Sequence, residues 1–230
     1  MSDPFAKAPG ITLVGGGASS AEALTRALAR APRLIAVDGG ADAALAMGHL
    51  PDLATGDFDS ISPRARAALG PDRLRHTPDQ EETDFDKALA FVDAPFALAV
   101  GFTGARLDHT LAAMSTLLRN PSRRVILDTG HDLCLLCPPR LALSLPRGTR
   151  VSLYPTAPMR CDSVGLRWPT SPLHFAPDAR IGTSNAATGG PVVLTPDGPS
   201  MLLLLPVSEL DELLAALAGA PLWPDAAHAR

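Results

Sequence analysis

Asp57 and Asp59 stand two residues apart, directly after an apolar run, in the segment 55–60 (TGDFDS). In an extended backbone, side chains at i and i+2 leave the chain on the same face, so the two carboxylates lie close together. Neighbouring anions favour a cation, and hard oxygen ligands suit Mg²⁺ that carries substrate phosphates. A solvated turn is the alternative, because Gly, Asp and Ser are all turn formers.

A second acidic segment, residues 78–87 (PDQEETDFDK), ends at one of only two lysines in a chain with 18 arginines. A helix start explains most of it, with Thr83 as the cap and acidic side chains in the first turn. A helix start gives no reason for a lysine at position 87. A compact ammonium beside an acidic loop also suits a phosphate group.

A third segment, residues 101–109 (GFTGARLDH), combines glycines with Arg106 and Asp108. Glycines at a strand end let the backbone approach a ligand, and a following helix N-terminus favours anions. Arg106 can bind phosphate oxygens in a bidentate manner. The alternative is a glycine turn with a surface Arg–Asp pair, and His109 is predicted to be structural.

The glycine run at residues 15–17 excludes two common nucleotide motifs. No Gly-Lys-Ser/Thr follows it, as a Walker A loop requires, and the GxGxxG spacing of a dinucleotide site is missing. Its backbone N–H groups can still hold a phosphate. No G-x-S-x-G segment supports a Ser-His-Asp hydrolase.

The elements that position these segments alternate between strand and helix in the first half of the chain. Short apolar runs predict strands at 11–14, 34–37, 53–55, 96–100 and 124–127, with helical segments between them. Such alternation is typical of a parallel, Rossmann-like sheet covered on both faces, with functional loops at the carboxyl ends of the strands. The glycine run, Asp38, the Asp57/Asp59 pair and the 101–108 loop all fall at such ends.

After about residue 131 the pattern changes to short apolar runs separated by Pro and Gly. Strands are predicted at 133–136, 141–145, 150–154, 181–184, 192–195 and 201–205, which indicates a small antiparallel β-sandwich. One helix at 210–217, with Ser208 as its cap, closes the domain, and the last ten residues are predicted to be a loose tail. We therefore expect an α/β domain over 1–130, a β-sandwich over 131–220 and a tail over 221–230.

Composition excludes several classes of protein. The chain has 230 residues, 46% of them hydrophobic, and a net charge of −4, which gives no reason to expect a nucleic-acid partner. No apolar run reaches the roughly 20 residues that cross a bilayer, and no signal peptide is recognisable. Three cysteines argue against a disulfide framework, and Cys134 and Cys137 form only half of a zinc site. A cytoplasmic protein with buried thiols is expected.

Four motifs in this order resemble the thiamine pyrophosphokinase family, and two C-terminal segments are similar to its β domain. The motifs are Val37-Asp38-Gly39-Gly40-Ala41-Asp42, Pro51-Asp52 followed by Gly56-Asp57-Phe58-Asp59-Ser60, the run from Asp79 to Leu89, and Arg106-Leu107-Asp108-His109, and the C-terminal segments are Gly165-Leu166-Arg167-Trp168-Pro169 and Gly182-Thr183-Ser184-Asn185.

The resemblance implies transfer of a diphosphate from ATP to the hydroxyl of thiamine, with Mg²⁺ as cofactor and AMP as the second product. It also implies a homodimer whose sites lie between the α/β domain of one subunit and the β domain of the other. Three alternatives stay open: a diphosphotransferase that acts on a pterin alcohol, a non-catalytic protein that binds Mg²⁺ and a nucleotide, and a hydrolase that splits ATP without an acceptor.

The resemblance assigns site residues by matching positions of this chain to the motifs of the family, and the loops identified above add further candidates. Asp57, Asp59 and Asp84 are the expected metal ligands, and with Arg106 and Asp108 they form the expected catalytic set. ATP and its phosphates are assigned to Gly15, Gly16, Asp38, Gly39, Lys87 and Gly104. The thiamine side is assigned to Gln80, Trp168, Ser184 and Asn185.

Overall fold

The computed structural model describes residues 8–78, 82–104 and 106–225. The chain divides into two compact units. The first comprises the chain up to Thr116 together with Val125–Gly130, and the second comprises Leu117–Arg124 together with the chain from His131 onward. Gln80 and Ala105 lie outside the described residues.

The first unit is a parallel α/β fold. Its strands are β1 (Ile11–Val14), β2 (Arg33–Val37), β3 (Leu53–Gly56), β4 (Leu74–His76), β5 (Ala97–Val100) and β6 (Val125–Asp128). Its helices are α1 (Ala21–Leu28), α2 (Gly40–Ala46), α3 (Pro63–Leu69), α4 (Asp84–Leu89) and the start of α5 (Leu107–Arg119). A 3₁₀ turn, Pro71–Arg73, precedes β4.

The parallel strands of this unit run in the order β6-β5-β1-β2-β3-β4. Every residue of β1, β3, β5 and β6 is buried, as expected for strands covered on both faces. The chain order reverses on either side of β1, because β2 lies on one side and β5 on the other. Ligands of open α/β sheets bind outside the carboxyl ends of the strands at such a switch point.

Side-chain caps fix where three helices of this unit, α1, α3 and α4, begin. Ser20 Oγ accepts a hydrogen bond from Ala23 N, and Ser62 Oγ accepts one from Ala65 N. Thr83 Oγ1 does the same for Asp86 N at the start of α4. Each cap satisfies a backbone N–H that has no partner inside the helix. The two serines and Thr83 therefore set where the loops before these helices end.

The second unit is built from antiparallel strands. They are β7 (Asp132–Leu136), β8 (Leu141–Leu145), β9 (Arg150–Pro155), β10 (Met159–Val164), β11 (His174–Phe175), β12 (Gly182–Ala186), β13 (Gly190–Pro196) and β14 (Met201–Pro206). Four of them neighbour one another in the order β12-β9-β14-β7, and the other four form a sheet in the order β11-β10-β13-β8. Helix α6 (Leu210–Gly219) packs against β8.

The structure differs from the sequence-based expectation in three respects. Strands β4, β10 and β11 were not predicted. The predicted Ser208 cap is wrong, because a 3₁₀ turn (Val207–Glu209) precedes α6 and no side chain caps the helix. Residues 221–225 are not loose, since Trp223 Nε1 donates to the carbonyl of Cys137 at 2.9 Å.

All three cysteines are free and buried, so the prediction of core thiols is confirmed. Burial raises the pKa of the Cys134 and Cys161 thiols to about 12, which keeps them protonated at neutral pH. Among the described residues, no helix has the length and apolar character that crossing a bilayer demands.

Candidate active site

Three carboxylates meet at the carboxyl ends of β2 and β3. Asp38 follows β2, and Asp57 and Asp59 follow β3, the parallel strand beside it. One carboxylate oxygen from each of the three lies within 4.8 Å of the other two. Because oxygen donors of this kind are the ligands that Mg²⁺ prefers, the donor set fits a hard divalent cation.

Hydrogen bonds inside the loop orient these carboxylates. Asp57 Oδ1 accepts from Asp59 N at 3.1 Å, and Asp59 Oδ1 accepts from Ser60 Oγ at 2.6 Å. Asp38 Oδ1 accepts from Ser60 N at 3.4 Å. The Asp57/Asp59 loop is thereby joined to the end of the neighbouring strand.

The electrostatics of the cluster favour a bound cation. Burial raises the pKa of Asp38, and the negative charge of Asp59 adds to that effect. Hydrogen bonds from Ser60 and Gly39 act in the opposite direction. A cation beside these three groups would offset the cost of holding the charges together.

Asp84 begins α4, a helix that packs against β3. Its Oδ1 accepts a hydrogen bond from Lys87 Nζ at 3.0 Å. Lys87 is buried, with 7% of its side chain exposed, and Asp84 is 30% exposed. Asp84 does not belong to the group of three carboxylates that lie within 4.8 Å of one another among the described residues. The metal role of Asp84 and the phosphate role of Lys87 stay predictions.

The two glycine loops pack backbone against backbone at the switch point. Gly15 N donates to Val100 O at 2.9 Å, and Gly17 N donates to Gly101 O at 2.7 Å. A Cβ at Gly15 would lie 2.6 Å from Gly101 O, and a Cβ at Gly101, where φ is +74°, would lie 2.5 Å from Gly15 O. Glycine is therefore required on both sides of this contact. The N–H of Gly15, which the sequence predicted could hold a phosphate, instead donates to the carbonyl of Val100 in β5.

Gly16, Gly39 and Gly104 complete the loop positions assigned to phosphate. Gly16 lies beside the backbone of Gly39, which precedes α2. Gly104 N donates to Thr110 Oγ1 at 3.3 Å, and its φ is +125°. Gly104 lies beside Ala18, in the loop that follows β1. The phosphate role of these glycines stays a prediction.

Arg106 and Asp108 form an exposed ion pair at the start of α5. Arg106 Nε donates to Asp108 Oδ1 at 3.2 Å, and Nη2 donates to Oδ2 at 2.5 Å. Their side chains are 66% and 65% exposed. The hydrogen bond from Arg106 lowers the pKa of Asp108, so the carboxylate stays ionised. An exposed guanidinium held in bidentate geometry can exchange this carboxylate for a phosphate group.

Of the predicted site residues that the structure describes, Trp168, Ser184 and Asn185 lie in the second unit, Trp168 between β10 and β11 and the other two on β12. Trp168 is 53% exposed, and Arg167 Cζ lies 4.7 Å from the centroid of its ring. Asn185 is buried, and its amide holds the backbone of Trp168: Nδ2 donates to Trp168 O at 2.7 Å, and Oδ1 accepts from Trp168 N at 3.2 Å. Ser184 is exposed with φ +63°. Asn185 thus supports the loop that presents Trp168.

Comparison with known proteins finds a family model and several curated proteins that are similar to this chain. Residues 24–127 match the family model described as "Thiamin pyrophosphokinase, catalytic domain". Thiamine pyrophosphokinase 1 from rice is 26% identical over 170 residues, which are 66% of this chain and 64% of the rice protein. Thiamine pyrophosphokinase 1 from Arabidopsis thaliana is 28% identical over 162 residues, 62% of this chain and 60% of that protein. The resemblance to thiamine pyrophosphokinases is confirmed.

The fold is shared over more of the chain than these sequence matches cover. The crystal structure of thiamine pyrophosphokinase from Bacillus subtilis superposes with a TM-score of 0.71 at 21% identity, covering 86% of this chain and 98% of that one. Thiamin pyrophosphokinase from Candida albicans gives a TM-score of 0.74 at 16% identity, covering 87% and 89%. The predicted fold class, a parallel α/β domain followed by an antiparallel β domain, is confirmed.

The region matched by the thiamin pyrophosphokinase catalytic domain contains the carboxylate cluster, α4 and the Arg106–Asp108 pair. Gly15 and Gly16 precede it, and Trp168, Ser184 and Asn185 follow it. The chain covers less than two thirds of the length of the rice and Arabidopsis relatives.

Proposed function

We propose that this protein transfers a diphosphate group from ATP to the hydroxyl of thiamine, giving thiamine diphosphate and AMP. In this reaction the hydroxyl oxygen of thiamine releases its proton to solvent and forms a bond to the β-phosphorus of ATP. The bond from that phosphorus to the bridging α–β oxygen breaks, and AMP leaves with this oxygen. Positioning and charge neutralisation account for most of the catalysis of such transfers.

The observation that carries the proposal is the convergence of Asp38, Asp57 and Asp59 inside the region matched by the catalytic-domain model. Asp57 and Asp59 are the proposed Mg²⁺ ligands, with Asp84 as the third and Asp38 beside them. When bound, Mg²⁺ neutralises phosphate charge during the transfer. The carboxylates would hold that ion at the ends of β2 and β3.

The other groups of the first unit complete the phosphate side. Arg106 binds phosphate oxygens through its exposed guanidinium, and Asp108 orients that guanidinium. Gly16 and Gly39 supply close backbone approach, and Lys87 supplies a buried ammonium beside Asp84. Gly15 and Gly104, whose N–H groups bond within the protein, shape the loops around the phosphates.

The thiamine side is proposed to use Trp168 and Ser184, with Asn185 holding the Trp168 loop and Gln80 beside the substrate. Thiamine carries a cationic thiazolium, which an aromatic face attracts. That the indole ring of Trp168 is more than half exposed and already lies against the guanidinium of Arg167 supports this role.

A homodimer is proposed, with each site formed by the first unit of one subunit and the second unit of the other. Large apolar side chains exposed in both units support an interface: Leu107 is 70% exposed and Val164 is 65% exposed. A cytoplasmic location is proposed as well, and it is supported by three buried cysteines without a disulfide.

A direct assay of the acceptor tests the proposed function. The purified chain with ATP and Mg²⁺ should release AMP only when thiamine is added, and thiamine diphosphate should appear in equal amount by chromatography. AMP release with a pterin alcohol but not with thiamine would contradict the proposal. AMP release without any acceptor would indicate a hydrolase, and nucleotide binding without turnover would indicate a non-catalytic protein.

A further inference from the structure

The residue between the two aspartates of the candidate metal loop has an unusual backbone. Phe58 has φ +64°, in the left-handed region that bulky side chains rarely adopt. Asp57 and Asp59 flank it, so its conformation decides how the two carboxylates are directed. A conformation of this kind persists only where surrounding contacts hold it.

Arg66, on the second turn of α3, makes those contacts. Its Nη2 donates a hydrogen bond to the carbonyl oxygen of Phe58, and its Cζ lies 5.5 Å from the centroid of the Phe58 ring. The Phe58 side chain is buried, and the ring of His76 lies 5.7 Å away. One guanidinium therefore contacts both the backbone and the side chain of the left-handed residue.

The start of α3 is itself fixed, so Arg66 projects from a set position. Asp42 on α2 accepts a hydrogen bond from Ser62 N through Oδ2 at 2.8 Å, and a second from Ser62 Oγ through Oδ1. Ser62 in turn caps α3 through Ala65 N. The loop 57–62 is thus held at its beginning by Arg66 and at its end by Asp42.

We propose that Arg66 is a positioning residue for the metal site: it holds Phe58 in the left-handed conformation that turns Asp57 and Asp59 toward Asp38. The inference rests on the proposed function only in taking this cluster as the metal site. Arg66 does not contact the carboxylates and acts through the Phe58 backbone and ring. Replacing Arg66 with a side chain of similar length that has no hydrogen-bond donor should release the loop without removing any metal-ligand atom.

The test compares Arg66→Met with Arg64→Met, which changes an exposed arginine two residues earlier on the same helix. Mn²⁺ binding, with the metal alone as the probe, is followed by electron paramagnetic resonance. Arg66→Met should bind Mn²⁺ about tenfold more weakly than the wild type, the scale expected when support of metal ligands is lost. Arg64→Met should bind like the wild type, and Arg66→Lys, which keeps a cationic donor, should recover part of the loss.

Hydrogen exchange provides a readout that needs neither metal nor turnover. In Arg66→Met, backbone amides of peptide 57–62 should exchange faster, because the bonds from Asp59 N and Ser60 N depend on the loop conformation. Exchange in β1 and β5 should not change, which shows that the fold is kept. Phe58→Gly, which takes positive φ without strain but keeps the carbonyl that Arg66 bonds, should make Mn²⁺ affinity less sensitive to Arg66→Met.

Unchanged Mn²⁺ affinity and unchanged exchange in Arg66→Met would overturn the inference, as would an equal loss in Arg64→Met. A wild-type protein that binds no Mn²⁺ would overturn it together with the metal site. A wild-type protein that binds Mn²⁺ but forms no AMP with thiamine would overturn the proposed function and leave the role of Arg66 standing.

Discussion

Asp38, Asp57 and Asp59 come together because parallel neighbouring strands end at the same edge of a sheet. Their positions at strand ends were sufficient to predict that the three carboxylates lie close together. The extended backbone predicted between Asp57 and Asp59 is wrong, because β3 ends at Gly56 and Phe58 has φ +64°. The contribution of Arg66 could not be predicted in this way. It depends on a positive φ at Phe58, and phenylalanine gives no sign of such a conformation in a sequence.

The ion pair between Lys87 and Asp84 leads to a prediction about a single residue. Its ammonium is buried against Asp84, so Lys87→Met should leave a carboxylate without its charged partner. We expect the free energy of unfolding to fall by about 1 to 3 kcal/mol, the range for hydrogen bonds that involve charged groups. Chemical denaturation with urea measures this difference.

A double-mutant cycle separates the ion pair from other effects of the Lys87 substitution. If the pair is the cause, Asp84→Asn and Lys87→Met should be non-additive, and the double variant should be little less stable than either single one. A Lys87→Met protein as stable as the wild type would instead favour an ammonium that is free to serve ATP.

At the element scale, the buried strands of the first unit could be predicted because most of their residues are apolar and form short runs. Strand β10 (MRCDSV) was missed because polar side chains occupy half of it. In the structure Met159 and Cys161 are buried while Arg160 and Asp162 are exposed. That alternation marks a strand with one solvated face, but it is too short and polar to stand out.

Helix α1 is joined to the end of β6 by a partly buried ion pair. Arg26 Nε and Nη2 donate to the two carboxylate oxygens of Asp128 at 2.9 and 3.0 Å, and the Asp128 side chain is 1% exposed. Asp128→Ala should lower the free energy of unfolding by about 3 to 5 kcal/mol, because it leaves a charge without its partner. Calorimetry should show a clear fall in melting temperature.

Asp93→Ala is the matched control for this pair, since Asp93 is an exposed aspartate of the same unit. Its melting temperature should equal that of the wild type. If Asp128→Ala has the same melting temperature as Asp93→Ala, α1 is held by apolar packing alone.

At the scale of the whole molecule, composition and the change of pattern near residue 131 were sufficient to predict the fold class. The assembly could not be predicted from spacing, because an intersubunit site leaves no periodic signal in one chain. The residues proposed for phosphate lie in the first unit, and those proposed to contact thiamine in the described chain, Trp168 and Ser184, lie in the second.

Subunit mixing tests the shared site. Asp57→Asn removes a proposed metal ligand, and Trp168→Arg places a cation where the thiazolium is proposed to bind. Each variant alone should be nearly inactive, whereas co-expression in equal amounts should restore about a quarter of wild-type turnover, because heterodimers contain one intact site. A mixture no more active than its components, or a monomer in light scattering, would contradict the dimeric site.

The most direct measurement is thiamine-dependent AMP formation by the wild type and by Asp57→Asn, with the exposed Asp72→Asn as control. We predict equal amounts of AMP and thiamine diphosphate from the wild type and the control. Asp57→Asn should lose at least about 100-fold in turnover, the scale of a lost electrostatic contribution, with an unchanged melting temperature. Near-normal turnover in folded Asp57→Asn, or no thiamine diphosphate from the wild type, would contradict the account.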